Sequence, residues 1–119
     1  MVGAWGVGIF DDDTAGDVRA EFQKLVEVGL GPGDAVGRLM REYREGLADP
    51  DDGPVVCLAL ACLLLDAGVS GHPLTAEARR IIEQGVGLER WEEAGPEVLA
   101  ARRAVYEDLL TKLTPANDQ

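Results

Sequence analysis

Aspartates are the residues of this 119-residue chain whose spacing comes nearest to a chemical site. Asp11, Asp12 and Asp13 are consecutive, and Asp17 follows four residues after the last of them. Clustered carboxylates suit Mg²⁺ or Ca²⁺, but a magnesium-binding D-D-x-x-D motif would need an acid at position 16, which is glycine. We therefore expect helix capping or a protein-binding acidic surface here, with a metal site as the third interpretation.

A second acidic group, Asp49, Asp51 and Asp52, lies in the segment just before a long apolar run. The segment lacks the alternating ligands and the distal glutamate of an EF-hand loop, because position 60 is leucine. Aspartates just before a helix interact favourably with its dipole, which is a sufficient structural reason for them. No metal ion and no other cofactor is predicted for the chain.

Two cysteines and one histidine are the remaining candidates for a nucleophile and its base. Cys57 and Cys62 are five residues apart, which on a helix separates their Cα atoms by about 8.6 Å, beyond the roughly 7 Å limit for a disulfide. We expect both to be reduced and buried, and a reactive or metal-binding thiol is the alternative. His72 lies in a Gly-Val-Ser-Gly-His-Pro loop, so it is predicted to be a surface histidine. No catalytic residue is identified, and the chain is not expected to be an enzyme.

Acidic residues outnumber basic residues by 22 to 11, which gives a formal net charge of -11 and a pI near 4.3. Direct nucleic-acid binding is disfavoured, because a phosphate backbone requires a basic footprint. The excess is concentrated in residues 1–18 and 45–78, neither of which contains Lys or Arg. Arg38, Arg41 and Arg44 are spaced three apart and are predicted to pair with nearby acids rather than to bind phosphate.

The longest apolar run extends from Pro54 to Leu65 and contains no charged residue. Proline suits the first turn of a helix, and Gly68 suits the left-handed position just past its end, so a helix is predicted over residues 54–67. A helix that is apolar on every side must be buried on every side. The run is shorter than the roughly 18 to 20 residues needed to span a bilayer, so other segments must cover it, and no membrane partner is expected.

Amphipathic segments on both sides of this run predict the helices that cover it. The first is expected to begin at the cap Thr14, the second at the cap Asp34 with an apolar stripe reaching Leu47, the fourth at the cap Thr75 and the last at Pro96. The predicted fold is a single all-α domain over residues 1–119, a compact bundle of about five helices around the buried central helix. An extended N-terminal arm is predicted over 1–13 and a frayed tail over 115–119.

Glycines, a tryptophan and spaced aspartates form a specific pattern over residues 3–17, G-A-W-G-x-G-x-F-D-x-D-x-A-x-D. Its glycine and aromatic positions are Gly3, Trp5, Gly6, Gly8 and Phe10. The pattern resembles the start of bacterial proteins grouped as domain of unknown function 4259, and residues 53–61 and 90–93 are similar to the same group. That family is uncharacterised, so the resemblance implies membership and no activity.

A protein-binding module that engages a basic partner is the function predicted from the charge and from the lack of a catalytic signature. An immunity or antitoxin-like inhibitor is one form of such a module; a structural or self-associating adaptor is the alternative, and a carboxylate metal-dependent enzyme is the third class. With up-and-down helices, the starts of the first, third and fifth helices lie at one pole. The predicted partner-binding residues are Asp11, Asp12, Asp13, Asp17, Asp49, Asp51 and Asp52. The start of the chain lacks the positive n-region of a secretory signal, so a cytoplasmic location is expected.

Overall fold

Helices account for all of the regular secondary structure in the part of the chain that the computed structural model describes, residues 9–11, 13–69 and 72–113. In chain order they are a 3-10 turn at Ile9–Asp11, α1 at Asp13–Glu27, α2 at Pro32–Glu42, α3 at Arg44–Ala48, α4 at Asp52–Asp66, α5 at Pro73–Gln84, α6 at Glu89–Glu92 and α7 at Pro96–Leu113. The long helices are α1, α2, α4, α5 and α7, whereas α3 and α6 are short. The predicted all-α class is confirmed.

The central helix is α4, which contacts α1, α2, α3, α5 and α7. Every residue from Val56 to Ala61 is buried, so the apolar run is covered by protein on all sides as expected. The helix begins two residues before the predicted start, at Asp52, and Gly68 has the expected left-handed φ of 78° just past its end. Within the described residues, no helix combines the length and the apolar character needed to cross a membrane.

The helices α1 and α2 pack against each other and against α4. Their buried residues recur at helical spacing and are Ala15, Val18, Phe22, Ala35, Val36 and Leu39. The turn between the two helices contains Gly29, whose φ is 111°. Residues other than glycine rarely adopt this backbone angle.

Proline is the first residue of two helices whose predicted caps lie two residues further along the chain. Pro32 and Pro73 are the first residues of α2 and α5, where their fixed φ is already helical and their missing N–H has no helical partner to lose. Asp34 and Thr75 therefore lie inside the first turns, and their prediction as caps is wrong. Thr14 also lies inside a first turn, because α1 begins one residue earlier.

His72 is the residue that caps α5. The Leu74 N–H donates to His72 Nδ1 at 3.1 Å, and the Thr75 hydroxyl donates to the His72 carbonyl at 2.6 Å. The first bond satisfies one of the N–H groups that a helix start leaves without an intrahelical acceptor. The histidine predicted to be a surface loop residue is thus half-buried and has a structural role.

The predicted second helix is wrong beyond Glu42, because the chain bends at Tyr43. Tyr43 has φ -99° and ψ 21°, and it separates α2 from α3. The Tyr43 hydroxyl donates to Glu21 Oε2 of α1 at 2.5 Å, which fixes the bend against α1. The bend directs α3 onto α4, where Gly53 lies so close to the Leu47 carbonyl that a Cβ at position 53 would be 2.5 Å from the Leu47 oxygen.

The C-terminal helices α6 and α7 complete the bundle, with α7 packed on α5. The Tyr106 hydroxyl of α7 donates to the Val86 carbonyl at 2.9 Å, just after α5 ends. The Arg102 guanidinium lies over the rings of Trp91 and Tyr106, with its carbon 5.1 and 5.2 Å from their centroids. These contacts tie the loop after α5 and the short α6 to the last helix.

Residues 9–11, just before α1, form a 3-10 turn, so the predicted arm is not extended there. Ile9 is buried in the core, and the Arg19 guanidinium carbon of α1 lies 4.7 Å from the centroid of the Phe10 ring. Gly3, Trp5, Gly6, Gly8 and Asp12 lie outside the described residues, as does the tail predicted over 115–119.

Candidate functional site

Three exposed aspartates, Asp49, Asp51 and Asp52, form an acidic loop between α3 and the start of α4. Asp49 Oδ1 accepts hydrogen bonds from the Asp51 N–H at 2.7 Å and the Asp52 N–H at 3.0 Å. The N–H groups of Asp52 and Asp51 favour the charged form and lower the pKa of the Asp49 carboxyl. Asp49 is therefore ionised at neutral pH, and its two hydrogen bonds tie the loop to the start of α4, at the positive end of the helix dipole.

An apolar cleft of about 530 Å³ opens beside the acidic loop, between the α3–α4 connection and α5. Its apolar lining includes Met40, Leu47, Ala48, Pro54, Ile81 and Val86. Asp49 lines the same cleft, so the acidic loop forms one of its edges. Volumes of about 300 to 1,000 Å³ with mostly apolar linings are typical of sites that enclose a ligand group.

An ion pair between Glu77 and Arg80 of α5 contributes the other charged groups that line the apolar cleft. Arg80 Nε donates to Glu77 Oε2 at 3.1 Å, and Arg80 Nη1 donates to Gln84 Oε1 at 3.0 Å. The hydrogen bond from Arg80 lowers the pKa of the Glu77 carboxyl, so both groups are charged and together neutral. Asp49 therefore leaves the lining of the cleft with a net negative charge.

The Cys57 thiol also lines the apolar cleft, and the residue is only 2% exposed. Burial raises its pKa to about 12, and burial likewise raises the pKa of the half-buried Cys62 to about 11. Both cysteines are free, and both are protonated at neutral pH. Since the thiolate is the nucleophilic form, Cys57 contributes a small neutral group to the cleft rather than a reactive one.

The aspartates at the start of α1 are separate in sequence from the acidic loop. Asp13 and Asp17 are exposed in the first two turns of α1, while the side chain of Asp11 and all of Asp12 lie outside what the structure describes. Burial and the Glu21 carboxylate raise the pKa of Tyr43, and the charge of Asp17 contributes in the same direction. Asp17 therefore lies close enough to Tyr43 to oppose ionisation of its phenol.

Metal coordination has no ready-made ligand set in the described part of the chain. Over residues 9–11, 13–69 and 72–113, no three His, Cys, Asp or Glu side chains are grouped closely enough to hold an ion.

The predicted pairing of Arg38, Arg41 and Arg44 with nearby acids holds for one of the three. Arg38 Nε lies 3.2 Å from Glu42 Oε2, whereas neither Arg41 nor Arg44 forms an ion pair with any residue that the structure describes. Both side chains are exposed, and exposed pairs contribute only about 0 to 1 kcal/mol, so solvation competes with pairing. Because acids outnumber bases by 22 to 11, eleven acids would remain uncompensated even with every base paired.

The apolar cleft is the feature that the sequence patterns did not reveal. Met40 and Leu47 belong to the apolar stripe predicted for the second helix, and that stripe continues through the bend without a break in spacing. Gly53 is the residue from which part of this packing could have been predicted, because it is a glycine between two aspartates and a proline at a helix start. A glycine there indicates close approach of another backbone, which in the structure is the end of α3.

The architecture defines an all-α domain in which an acidic loop and an apolar cleft lie side by side at the start of a buried helix. The family described as Domain of unknown function (DUF4259) matches residues 3–95, which is more than half of the chain, so the chain belongs to this family. The match includes the acidic loop and ends just before α7. Neither the curated proteins nor the solved structures contain a match.

Proposed function

We propose that this protein is a protein-binding module whose acidic loop receives a basic protein partner. The observation that carries the proposal is the position of the loop at the start of the central helix: Asp49 lines an apolar cleft, and the exposed Asp51 and Asp52 follow it in the same loop. Protein interfaces usually combine an apolar centre with a polar rim. The partner is expected to present Lys or Arg to the loop.

The overall charge supports the same class of partner. A net charge of -11 produces a negative field that attracts basic proteins and speeds their association. The same field repels nucleic acid, whose phosphates carry charge of the same sign. An immunity or antitoxin-like inhibitor in the cytoplasm is one form that such a module takes.

The rigidity of the acidic loop also supports the proposal. Two backbone hydrogen bonds to Asp49 and the close approach of Gly53 to Leu47 hold the loop before any partner arrives. A preformed loop loses little conformational freedom on binding, so more of the interaction energy is expressed as affinity.

The test begins with capture of a partner from native lysate on the immobilised protein, followed by purification of that partner. Its affinity is then measured for the wild type and for Asp51→Asn/Asp52→Asn, in which Asp49 and its hydrogen bonds are retained. The matched control is Glu27→Gln/Asp66→Asn, which removes two exposed charges at the C-terminal ends of α1 and α4.

We expect the loop variant to bind about tenfold more weakly, because two charge interactions of about 0.7 kcal/mol each amount to one power of ten. The control is expected to bind like the wild type. Equal affinities of the loop variant and the wild type would contradict the proposal. A stable dimer that captures no partner would favour the self-associating adaptor instead.

A further inference from the structure

We infer that the apolar cleft receives one bulky apolar side chain of the basic partner, so that the recognised segment combines an aliphatic or aromatic residue with neighbouring lysine or arginine. The inference rests on the proposed function, in which lysine or arginine of the partner binds the acidic loop. It adds a second contact of different chemistry and predicts a sequence pattern in the partner.

The lining of the cleft supports an apolar occupant. Met40 comes from α2, Ala48 from α3, Pro54 from α4 and Ile81 from α5, so four helices contribute apolar surface to one concavity. The volume of about 530 Å³ is ample for a leucine, phenylalanine or tryptophan side chain. Large side chains that fill such pockets are the residues that dominate the binding energy of protein interfaces.

The charges around the cleft select a cation beside the apolar group. Asp49 lines the cleft with an ionised carboxylate, and Asp51 and Asp52 extend the negative charge beyond it. Glu77 and Arg80 neutralise each other within α5, so the net charge of the lining is that of Asp49. A ligand with an apolar body and a carboxylate head would meet repulsion at this edge.

A second copy of the chain is a poor occupant for the same reason. Each copy carries a net charge of -11, so bringing two acidic loops together costs electrostatic free energy. A partner with basic residues next to an apolar side chain makes favourable contacts with both the acidic loop and the apolar cleft. The charge therefore favours a basic segment of a different protein over self-association through this cleft.

The experiment pans a random peptide display library against the protein and uses the most enriched peptide, made synthetically, as the probe. We expect enriched peptides to share one large apolar residue within a few positions of lysine or arginine. Binding is located by NMR on protein labelled at the methionine methyl groups. The chain has two methionines, so the Met40 methyl resonance reports on the cleft, and Met40→Leu assigns it.

Two substitutions separate the cleft from the charge. Ala48→Phe places a ring over the cleft at an exposed position, and Ala20→Phe makes the same change at an exposed position of α1 that does not line the cleft. We expect Ala48→Phe to lower the affinity for the peptide at least about tenfold. Ala20→Phe is expected to leave that affinity unchanged. The Met40 shift in the wild-type protein tests the site independently of whether Ala48→Phe folds.

The outcomes distinguish this inference from the proposed function. A peptide that is weakened by Asp51→Asn/Asp52→Asn but neither shifts the Met40 resonance nor responds to Ala48→Phe would overturn the cleft and leave the acidic loop in place. Enriched peptides that fill the cleft but contain no lysine or arginine would overturn the pairing of anchor and cation. A selection that enriches no peptide would also count against the inference.

Discussion

A glycine-to-alanine substitution at position 53 tests the packing that holds the acidic loop and the apolar cleft in place. Gly53 is buried near the start of α4, and its N–H donates to the Asp49 carbonyl at 2.8 Å. A Cβ at this position would lie 2.5 Å from the Leu47 oxygen and 3.3 Å from the Leu47 carbonyl carbon. Both atoms belong to backbone, so the contact is relieved only if α3 moves away from α4.

The expected magnitude is the difference between two opposing effects. Overpacking of this kind costs about 1 to 3 kcal/mol. Alanine is favoured over glycine inside a helix by about 0.5 to 1 kcal/mol, which offsets part of that cost. We therefore expect Gly53→Ala to lower the free energy of unfolding, by up to about 2.5 kcal/mol.

Gly37→Ala is the matched control, because Gly37 is also helical but a Cβ there would meet nothing within 4 Å. It is expected to raise the free energy of unfolding by about 0.5 to 1 kcal/mol through helix propensity alone. Urea denaturation followed by circular dichroism measures both variants against the wild type. If Gly53→Ala were as stabilising as Gly37→Ala, the close approach of α3 to α4 would be refuted.

Three further predictions concern the core, the bend and the buried thiol. Ala59 is fully buried in α4, so Ala59→Leu is expected to destabilise the protein by about 1 to 3 kcal/mol through overpacking, and an unchanged urea midpoint would contradict it. Tyr43→Phe is expected to cost about 1 kcal/mol near neutral pH because it removes the hydrogen bond to Glu21. Because folding raises the pKa of Tyr43 above its ordinary value of 10.0, this difference should persist up to about that pH and shrink above it, and a pH-independent difference would contradict the assignment. Cys57 in a Cys62→Ala background is expected to react with a thiol reagent at least about a hundredfold more slowly when folded than in urea, because burial raises its pKa from 9.0 to about 12, and equal rates would show that the thiol is accessible.

The buried central helix was predictable from sequence because its signal is local and strong. The uninterrupted apolar run from Pro54 to Leu65 leaves no solvated face, so only complete burial satisfies it. The covering helices follow from 3.6-residue periodicity, which depends on spacing and not on tertiary contacts. Periodicity does not fix a helix start, and for that reason α2 and α5 begin at Pro32 and Pro73, two residues before the predicted caps Asp34 and Thr75.

The bend at Tyr43 and the apolar cleft depend on contacts between residues that are distant in sequence. Tyr43 and Glu21 are separated by 22 positions, and nothing in the stripe through Leu47 indicates their hydrogen bond. The cleft exists because the bend brings α3 over the start of α4 while α5 packs on the other side. The acidic loop was predicted from the sequence. The apolar cleft beside it could be found only from the folded structure.

The central claim is that the acidic loop attracts a basic protein partner, and the salt dependence of association tests it most directly. Association rate constants for the captured partner are measured by stopped flow from about 0.01 M to 0.15 M salt, over which the screening length falls from about 30 Å to about 8 Å. The rate for the wild type is predicted to fall steeply with salt, and the rate for Asp51→Asn/Asp52→Asn to start lower and fall less, while Glu27→Gln/Asp66→Asn follows the wild type more closely. Identical salt dependence for the wild type and the Asp51→Asn/Asp52→Asn variant would contradict the claim and leave these aspartates as helix-start and solvated residues.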